Sequence, residues 1–316
     1  MRVVSGRVPR AASYDVIVVG GGPAGLNAAL VLGRCRRTVL LFDDGKPRNA
    51  ASRALHGFLT RDGIAPMELR RIGEEQLARY DSVTRMNASV ADARRSDLGF
   101  SVTTDDGQTY SARKLLLAAG VVDDIPPIEG LRELYGLGVF HCPYCDGWEV
   151  RDQPLAVYGR GDHKGGGLAL ELTAWSADIV LCTDGPSELS DAFALRLARH
   201  GIAVRDERIL RLRRQGGSPD ASGFEIVFED GTTLPRRALF FNTGRRQSSD
   251  LAERLGCDMF EEGGCRIENR FEASNVPGLY VAGDASRDVL QAIVAAAEGA
   301  EAAIAINTAM IKEDLP

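Results

Sequence analysis

The chain has 316 residues, 44% of them apolar and 26% charged, with a formal net charge of −6. That length exceeds what one hydrophobic core accommodates comfortably, so two domains are expected. The acidic balance argues against a nucleic-acid binder, which normally carries a basic excess, and no uninterrupted apolar run approaches the roughly 20 residues a membrane-spanning helix needs.

Residues 1–13 lack the apolar segment of a secretory signal and read as a flexible extension. Asp15 to Val19 is a β-branched run ending in glycines, Ala24 to Leu32 has helical apolar spacing, and Thr38 to Phe42 is a second apolar run. This order predicts strand, tight turn, helix, strand: a βαβ unit. Gly20, Gly22 and Gly25, around Pro23 and Ala24, supply the fixed positions of G-x-G-x-x-G between strand and helix. Gly20 permits the turn, Gly22 lets backbone N–H groups approach a pyrophosphate, and Gly25 allows close helix–strand contact. The helix N-terminus offers the positive end of its dipole to the phosphates. Asp43 ends the second strand, where an adenosine ribose would present its hydroxyls.

Val122 to Gly130, acidic and Pro-rich, marks a junction just before Cys142 and Cys145. A second βαβ start follows, with Leu155 to Tyr158, the loop Gly159 to Gly167, an apolar helix to about Trp175, and Ile179 to Cys182. Asn242 to Arg246 is a second Gly-bearing junction, after which come Gly278 to Asp284 (GLYVAGD) and an Ala-rich helix from about Val289 to Ile311. Two βαβ starts and two junctions predict an α/β protein of two Rossmann-like three-layer domains. The outer one comprises 14–122 and 245–316, interrupted by a smaller one over 123–244.

Among the six cysteines, Cys35, Cys182, Cys257 and Cys265 read as solitary, and only Cys142 and Cys145 have a meaningful spacing. Two intervening residues let two sulfurs meet in a small ring that opens and closes reversibly. Near a helix N-terminus the thiolate is stabilised for attack on another disulfide. A structural zinc site needs about four ligands, so redox chemistry is expected here and no metal site.

On Gly20–Gly25, on His141-Cys142-Pro143-Tyr144-Cys145-Asp146-Gly147 and on Tyr280-Val281-Ala282-Gly283-Asp284, the chain resembles the low-molecular-weight thioredoxin reductases, from about Tyr14 to the last helix. The resemblance implies non-covalent FAD in the outer domain. Gly283 and Asp284 would meet its ribityl–phosphate region, and Gln291 and Ala292 would open a helix facing the flavin O2 side. Ala119 and Gly120 would end a strand against the cofactor, Arg48 and Asn49 would reach its phosphates and flavin edge, and Val90 completes the expected contacts. The resemblance also makes Cys142 the thiol that attacks substrate, Cys145 the flavin-proximal thiol and Asp146 the acid/base. With it come a cytoplasmic homodimer, a thioredoxin-like protein or small disulfide as substrate, and an inner domain that rotates about its linkers. Pro143-Tyr144 and Trp148-Glu149 are similar to a side branch that includes natural-product dithiol oxidases. There a histidine usually replaces Asp146, so the aspartate favours reductase chemistry.

The resemblance to NADPH-dependent members fails in the inner domain. Lys164 stands at the third glycine position of the motif that begins at Gly159 and is expected to crowd the helix–strand contact. Thr183-Asp184-Gly185 replaces the arginines that hold a 2′-phosphate, and Asp184 would repel that group. Leu290 stands where an arginine usually precedes Gln291. The donor is therefore not expected to be NADPH in its usual mode. NADPH held differently, NADH with Asp184 near a free ribose hydroxyl, and a protein donor such as ferredoxin stay open. Arg160 and Lys164 read as a solvated loop or a small anion site, the doublet Arg70-Arg71 as a solvated face, Trp148 and Trp175 as packing residues, and His56 as a structural hydrogen-bonding group. Two other activities stay open beside disulfide reduction: oxidation of small dithiols by oxygen, and flavin-based redox sensing without turnover.

Overall fold

A computed structural model describes residues 13–97, 99–214, 223–261, 263–267, 273–286 and 289–315. The extension expected over 1–13 lies outside them except for Ser13, which opens the first strand. The chain divides into two compact units: Met1–Ala50, Phe58–Val122 and Arg246–Pro316 form one, Ala51–Gly57 and Asp123–Arg245 the other.

In the first unit β1 (Ser13–Val19), β2 (Val39–Asp43), β3 (Val83–Asn87), β4 (Val90–Ser96), β5 (Gly99–Thr104) and β6 (Thr109–Leu117) are ordered β3-β2-β1-β6-β5-β4. The strands β3, β2, β1 and β6 run parallel, while β4, β5 and β6 form an antiparallel meander. β6 serves two partners on one edge: its first half pairs with β5, and Leu115 to Leu117 pair in parallel with Leu279–Val281. Every residue of β2 is buried, as expected of a strand covered on both faces. Val16 and Val18 face α1 (Pro23–Arg34) and the C-terminal helix Ala292–Asp314, while Ile17 and Val19 join Phe42, Phe100 and Leu251 on the opposite side.

That C-terminal helix is long and apolar enough to cross a membrane by length and composition alone, although Glu298 and Glu301 interrupt its apolar run. Its sequence serves the core instead. Ala302, Ala303, Ile306 and Met310 are buried, and Gly299 lies so close to α1 that a Cβ would sit 2.0 Å from the Ala24 carbonyl oxygen.

The second unit holds a parallel sheet in the order Ala203–Arg205, Ile179–Cys182, Leu155–Tyr158, Ala238–Phe241, Val139–Phe140. An antiparallel sheet of Ile209–Arg214, Phe224–Phe228 and Thr233–Arg236 covers one face through Leu212, Phe224 and Ile226. Leu168, Leu172 and Leu197 cover the other. Residues 51–57, placed in the outer domain from sequence, group with this unit. Gly136, at φ +76, approaches Ala51 so closely that a Cβ would lie 2.5 Å from its carbonyl oxygen, and His56 Nε2 is 3.6 Å from Glu149 Oε1.

Candidate active site

In the first unit β1 runs directly into the glycine turn. Gly20 has φ +115, its N–H donates to the Phe42 carbonyl at 2.9 Å, and a Cβ there would sit 2.2 Å from the Ala118 carbonyl oxygen. A Cβ on Gly25 would lie 1.8 Å from the carbonyl oxygen of Gly20. Gly22 differs: it is the N-cap of α1 with φ −76, and a Cβ there would meet nothing within 4 Å. No side chain caps this helix, and Pro23 follows at its first turn. Uncapped N–H groups beside open space are the donor set a pyrophosphate requires, so these residues fit the phosphates of FAD.

Of the other expected cofactor residues, Ala119 and Gly283 lie beside this turn. Gly283 lies against Ala24, where a Cβ would come 3.1 Å from that of Ala24, and its N–H donates to the buried Glu298 at 2.7 Å. Arg48 donates to Asp284 Oδ2 at 2.9 Å. Gln291 is the N-cap of the helix that Ala292 opens, again without a side-chain cap. The carbonyls of Ala119 and Gly120 accept from Ser248 Oγ at 2.6 and 3.0 Å. Asn49 follows Arg48 half-buried, and Val90 begins β4 just beyond Ala88, whose N–H donates to the Asp43 carbonyl at 3.1 Å. Glu298 and Ser248 escaped the sequence reading. A carboxylate on the apolar face of an Ala-rich helix was the available signal for Glu298.

Asp43 is more enclosed than expected. It is 5% exposed, Oδ2 accepts from Arg70 at 2.5 Å and Arg85 at 2.9 Å, and Oδ1 accepts from the Gly45 N–H at 3.0 Å. Burial raises its pKa, but the Arg85 hydrogen bond, the Gly45 N–H and the two guanidinium charges outweigh it and hold the carboxyl below its usual value. Arg70, read as solvated from its doublet, is buried on α2 (Pro66–Leu77), whereas Arg71 turns outward to Glu68 and Glu75.

In the second unit Cys142 is the N-cap of the short helix Pro143–Asp146, and the N–H groups of Cys145 and Asp146 each return to its carbonyl at 3.2 Å. The turn holds the two Cα atoms 5.3 Å apart and the sulfurs form a disulfide. Gly147 permits this turn, since a Cβ would meet the Pro143 carbonyl oxygen at 2.5 Å and the Trp175 ring at 3.0 Å. Burial and then the Glu149 charge push the Asp146 carboxyl up to about 7, with His56 opposing. Asp146 can therefore hold or release a proton near neutrality, one residue from Cys145. Tyr144 and Trp148 are each 64% exposed, and Arg151 stacks 3.9 Å from the Trp148 ring centroid. The packing role expected of Trp148 does not hold, whereas Trp175 sits half-buried against Tyr144. Cys257 and Cys265, read as solitary, are buried in the first unit and hydrogen-bonded to each other.

The second glycine motif reproduces the first with one extra residue. Tyr158 pairs with Cys182 as Val19 pairs with Phe42, and the Gly159 N–H donates to the Cys182 carbonyl at 3.4 Å. A wide π-type turn over Gly161–Gly167 absorbs the insertion. Gly165 thereby reaches the strand end, where a Cβ would come 2.7 Å from the Gly159 carbonyl oxygen, and Lys164 is exposed. The crowding expected of Lys164 does not occur. Asp184 does not stand free beside a ribose either: Oδ1 accepts from the Ile209 N–H at 2.8 Å, and Thr183, 1% exposed, takes the place corresponding to Asp43.

The comparisons agree with this arrangement. Residues 14–300 match the family described as "Pyridine nucleotide-disulphide oxidoreductase". A "Probable thioredoxin reductase" of Arthroderma benhamiae is 34% identical over 302 residues, covering 87% of this chain and 74% of that one. The crystal structure of a putative thioredoxin reductase TrxB from Bacillus anthracis superposes with a TM-score of 0.88 at 36% identity, covering 96% of this chain and 100% of that one. The crystal structure of HlmI superposes with a TM-score of 0.89 at 34% identity, covering 96% and 94%. The family match spans most of the chain, so the chain belongs to the pyridine nucleotide-disulphide oxidoreductases as a thioredoxin reductase-like, flavin-dependent disulfide oxidoreductase.

Proposed function

We propose that this enzyme uses FAD to reduce the disulfide of a thioredoxin-like protein or a small molecule through Cys142 and Cys145, with a donor other than conventionally bound NADPH. The reading is carried by the Cys142–Cys145 disulfide with Asp146, poised near neutrality, beside it. Flavin, when bound, supplies an electron pair that converts the disulfide to a dithiol. The Cys142 thiolate then attacks a substrate sulfur and releases one substrate thiolate. Cys145 attacks the resulting mixed disulfide, releases the second and restores the Cys142–Cys145 bond. Asp146 takes and returns the proton that Cys145 loses and regains. The exposed rings of Tyr144 and Trp148 flank the pair as a platform for the incoming disulfide. The uncapped turn at Gly22 and the Arg48–Asp284 pair support FAD at its phosphates. A cytoplasmic homodimer fits the family, and an acidic protein such as a ferredoxin fits the role of donor.

The test uses chemically reduced flavoprotein, mixed anaerobically with oxidised thioredoxin or a small aromatic disulfide. Product thiols should appear in the parent and not in Cys142→Ser. Thiol release that persists in Cys142→Ser removes the reading, as does peroxide formation from small dithiols without any disulfide reduction.

A further inference from the structure

The two units present one backbone frame twice, and the position after its first glycine is filled differently. The strand registers make Gly21 and Arg160 equivalent, and likewise Asp43 and Thr183. Gly21 lies under Asp43, where a Cβ would come 2.3 Å from the carboxyl carbon. Arg160 instead sends its side chain across the end of the neighbouring strand. Its Nε donates to the Thr183 carbonyl at 2.7 Å, one Nη donates to the Asp184 carbonyl, and the other lies 3.7 Å from Glu188 Oε1. Gly185, at φ +122, makes room: a Cβ there would lie 2.9 Å from the guanidinium.

A Rossmann fold lays the adenosine ribose of its dinucleotide over the C-terminal end of its second strand, beside the glycine turn. In the second unit that place is taken by the guanidinium. We propose that Arg160 determines cofactor specificity by occupying the adenosine subsite of the second unit and so excluding pyridine nucleotides. The proposal deepens the functional reading above and rests on it. Arg160 is poorly placed to recruit a phosphate, because two of its N–H groups are already used by strand-end carbonyls. Its charge is also offset: Glu188 faces Arg160, and Asp184 pairs with Arg208 at 3.7 Å, so two carboxylates balance two guanidinium groups.

The experiment compares the full-length flavoprotein with Arg160→Gly, which reproduces Gly21, and with Arg160→Ala. Each is titrated calorimetrically with ADP and NADH and mixed anaerobically with NADH and NADPH while flavin absorbance is followed. Flavin content and the thermal transition establish that the variants fold. The parent should show no saturable binding at millimolar nucleotide, and both variants should bind ADP at least about tenfold more tightly. The proposal is overturned if the parent binds NADH or NADPH and the variants lose it, for Arg160 is then a phosphate ligand. It is equally overturned if both folded variants bind ADP no better than the parent. Disulfide turnover by chemically reduced enzyme is assayed in the same preparations and should be unchanged by Arg160→Gly. Its absence from all three proteins would strike the disulfide-reductase reading, whereas the nucleotide titrations alone decide the role of Arg160.

Discussion

Gly165 meets the carbonyl oxygen of Gly159 as Gly25 meets that of Gly20, although five positions separate the first pair of the outer motif and six separate the inner pair. The close helix–strand contact is thus conserved within the molecule while the spacing that normally encodes it is not. Gly165→Ala should therefore cost about 1–3 kcal/mol through overpacking against backbone. Lys164→Ala, at an exposed position, should stay within about 0.5 kcal/mol. Thermal or urea unfolding ranks the two, and a reversed ranking would refute the wide turn.

Gly22 and Gly25 should fail in opposite ways. Gly22 has an ordinary backbone conformation and open space beyond its α-carbon, so Gly22→Ala should leave the apoprotein as stable as the parent. Its methyl group would intrude on the phosphate space, and FAD affinity should fall by about tenfold or more. Gly25→Ala would drive a methyl into the Gly20 carbonyl and should destabilise the apoprotein itself. Apoprotein melting and FAD titration separate the two effects.

The raised carboxyl of Asp146 fixes a pH signature. Folded Asp146 ionises near about 7 and the unfolded residue near 3.8, so between these values the native state holds a proton that the unfolded chain has lost. Its contribution to stability consequently declines as pH rises through that interval. Asp146→Asn should be the more stable protein at pH 8, by on the order of 4 kcal/mol, and the gap should close below about pH 4. Disulfide turnover should fall by roughly 10²–10⁴-fold in the same variant. Equal pH–stability curves for parent and variant would mean that the carboxyl is not strained.

Asp43 behaves in the opposite sense. Its folded pKa is depressed, so its stabilisation is present above the unfolded pKa and is lost as pH falls through the folded one. Asp43→Ala leaves Arg70 and Arg85 buried without their shared carboxylate and should cost about 3–5 kcal/mol. Urea unfolding should show this loss in full at pH 7, narrowing only once the pH falls below 3.8 toward the depressed folded value. A variant as stable as the parent at pH 7 would show that the arginines relax to solvent.

The two folds were legible because glycines between alternating apolar segments leave few topologies open. The turn at Gly20–Gly25, the inner strands Leu155–Tyr158 and Ile179–Cys182, and the cysteine pair follow from local pattern alone. What escaped depends on contacts distant in sequence. Arg70 and Arg85 converge on Asp43 from a helix and a strand that local reading treats separately. Cys257 and Cys265 meet only because the loop between them folds back, with Met259 bridged to Cys265. Residues 51–57 carry no composition shift that would announce their grouping with the second unit. At Lys164 one extra residue shifts the motif along the chain, and the backbone absorbs it by widening a turn.

The contact of Gly299 with the Ala24 carbonyl sets an order of events during synthesis. The helix that steadies the phosphate turn is translated only after all of 123–245, so the inserted unit can complete its own sheets while the outer one still lacks a wall. Nascent chains halted before the final helix should consequently leave the ribosome without bound flavin, whatever the cellular supply of the vitamin.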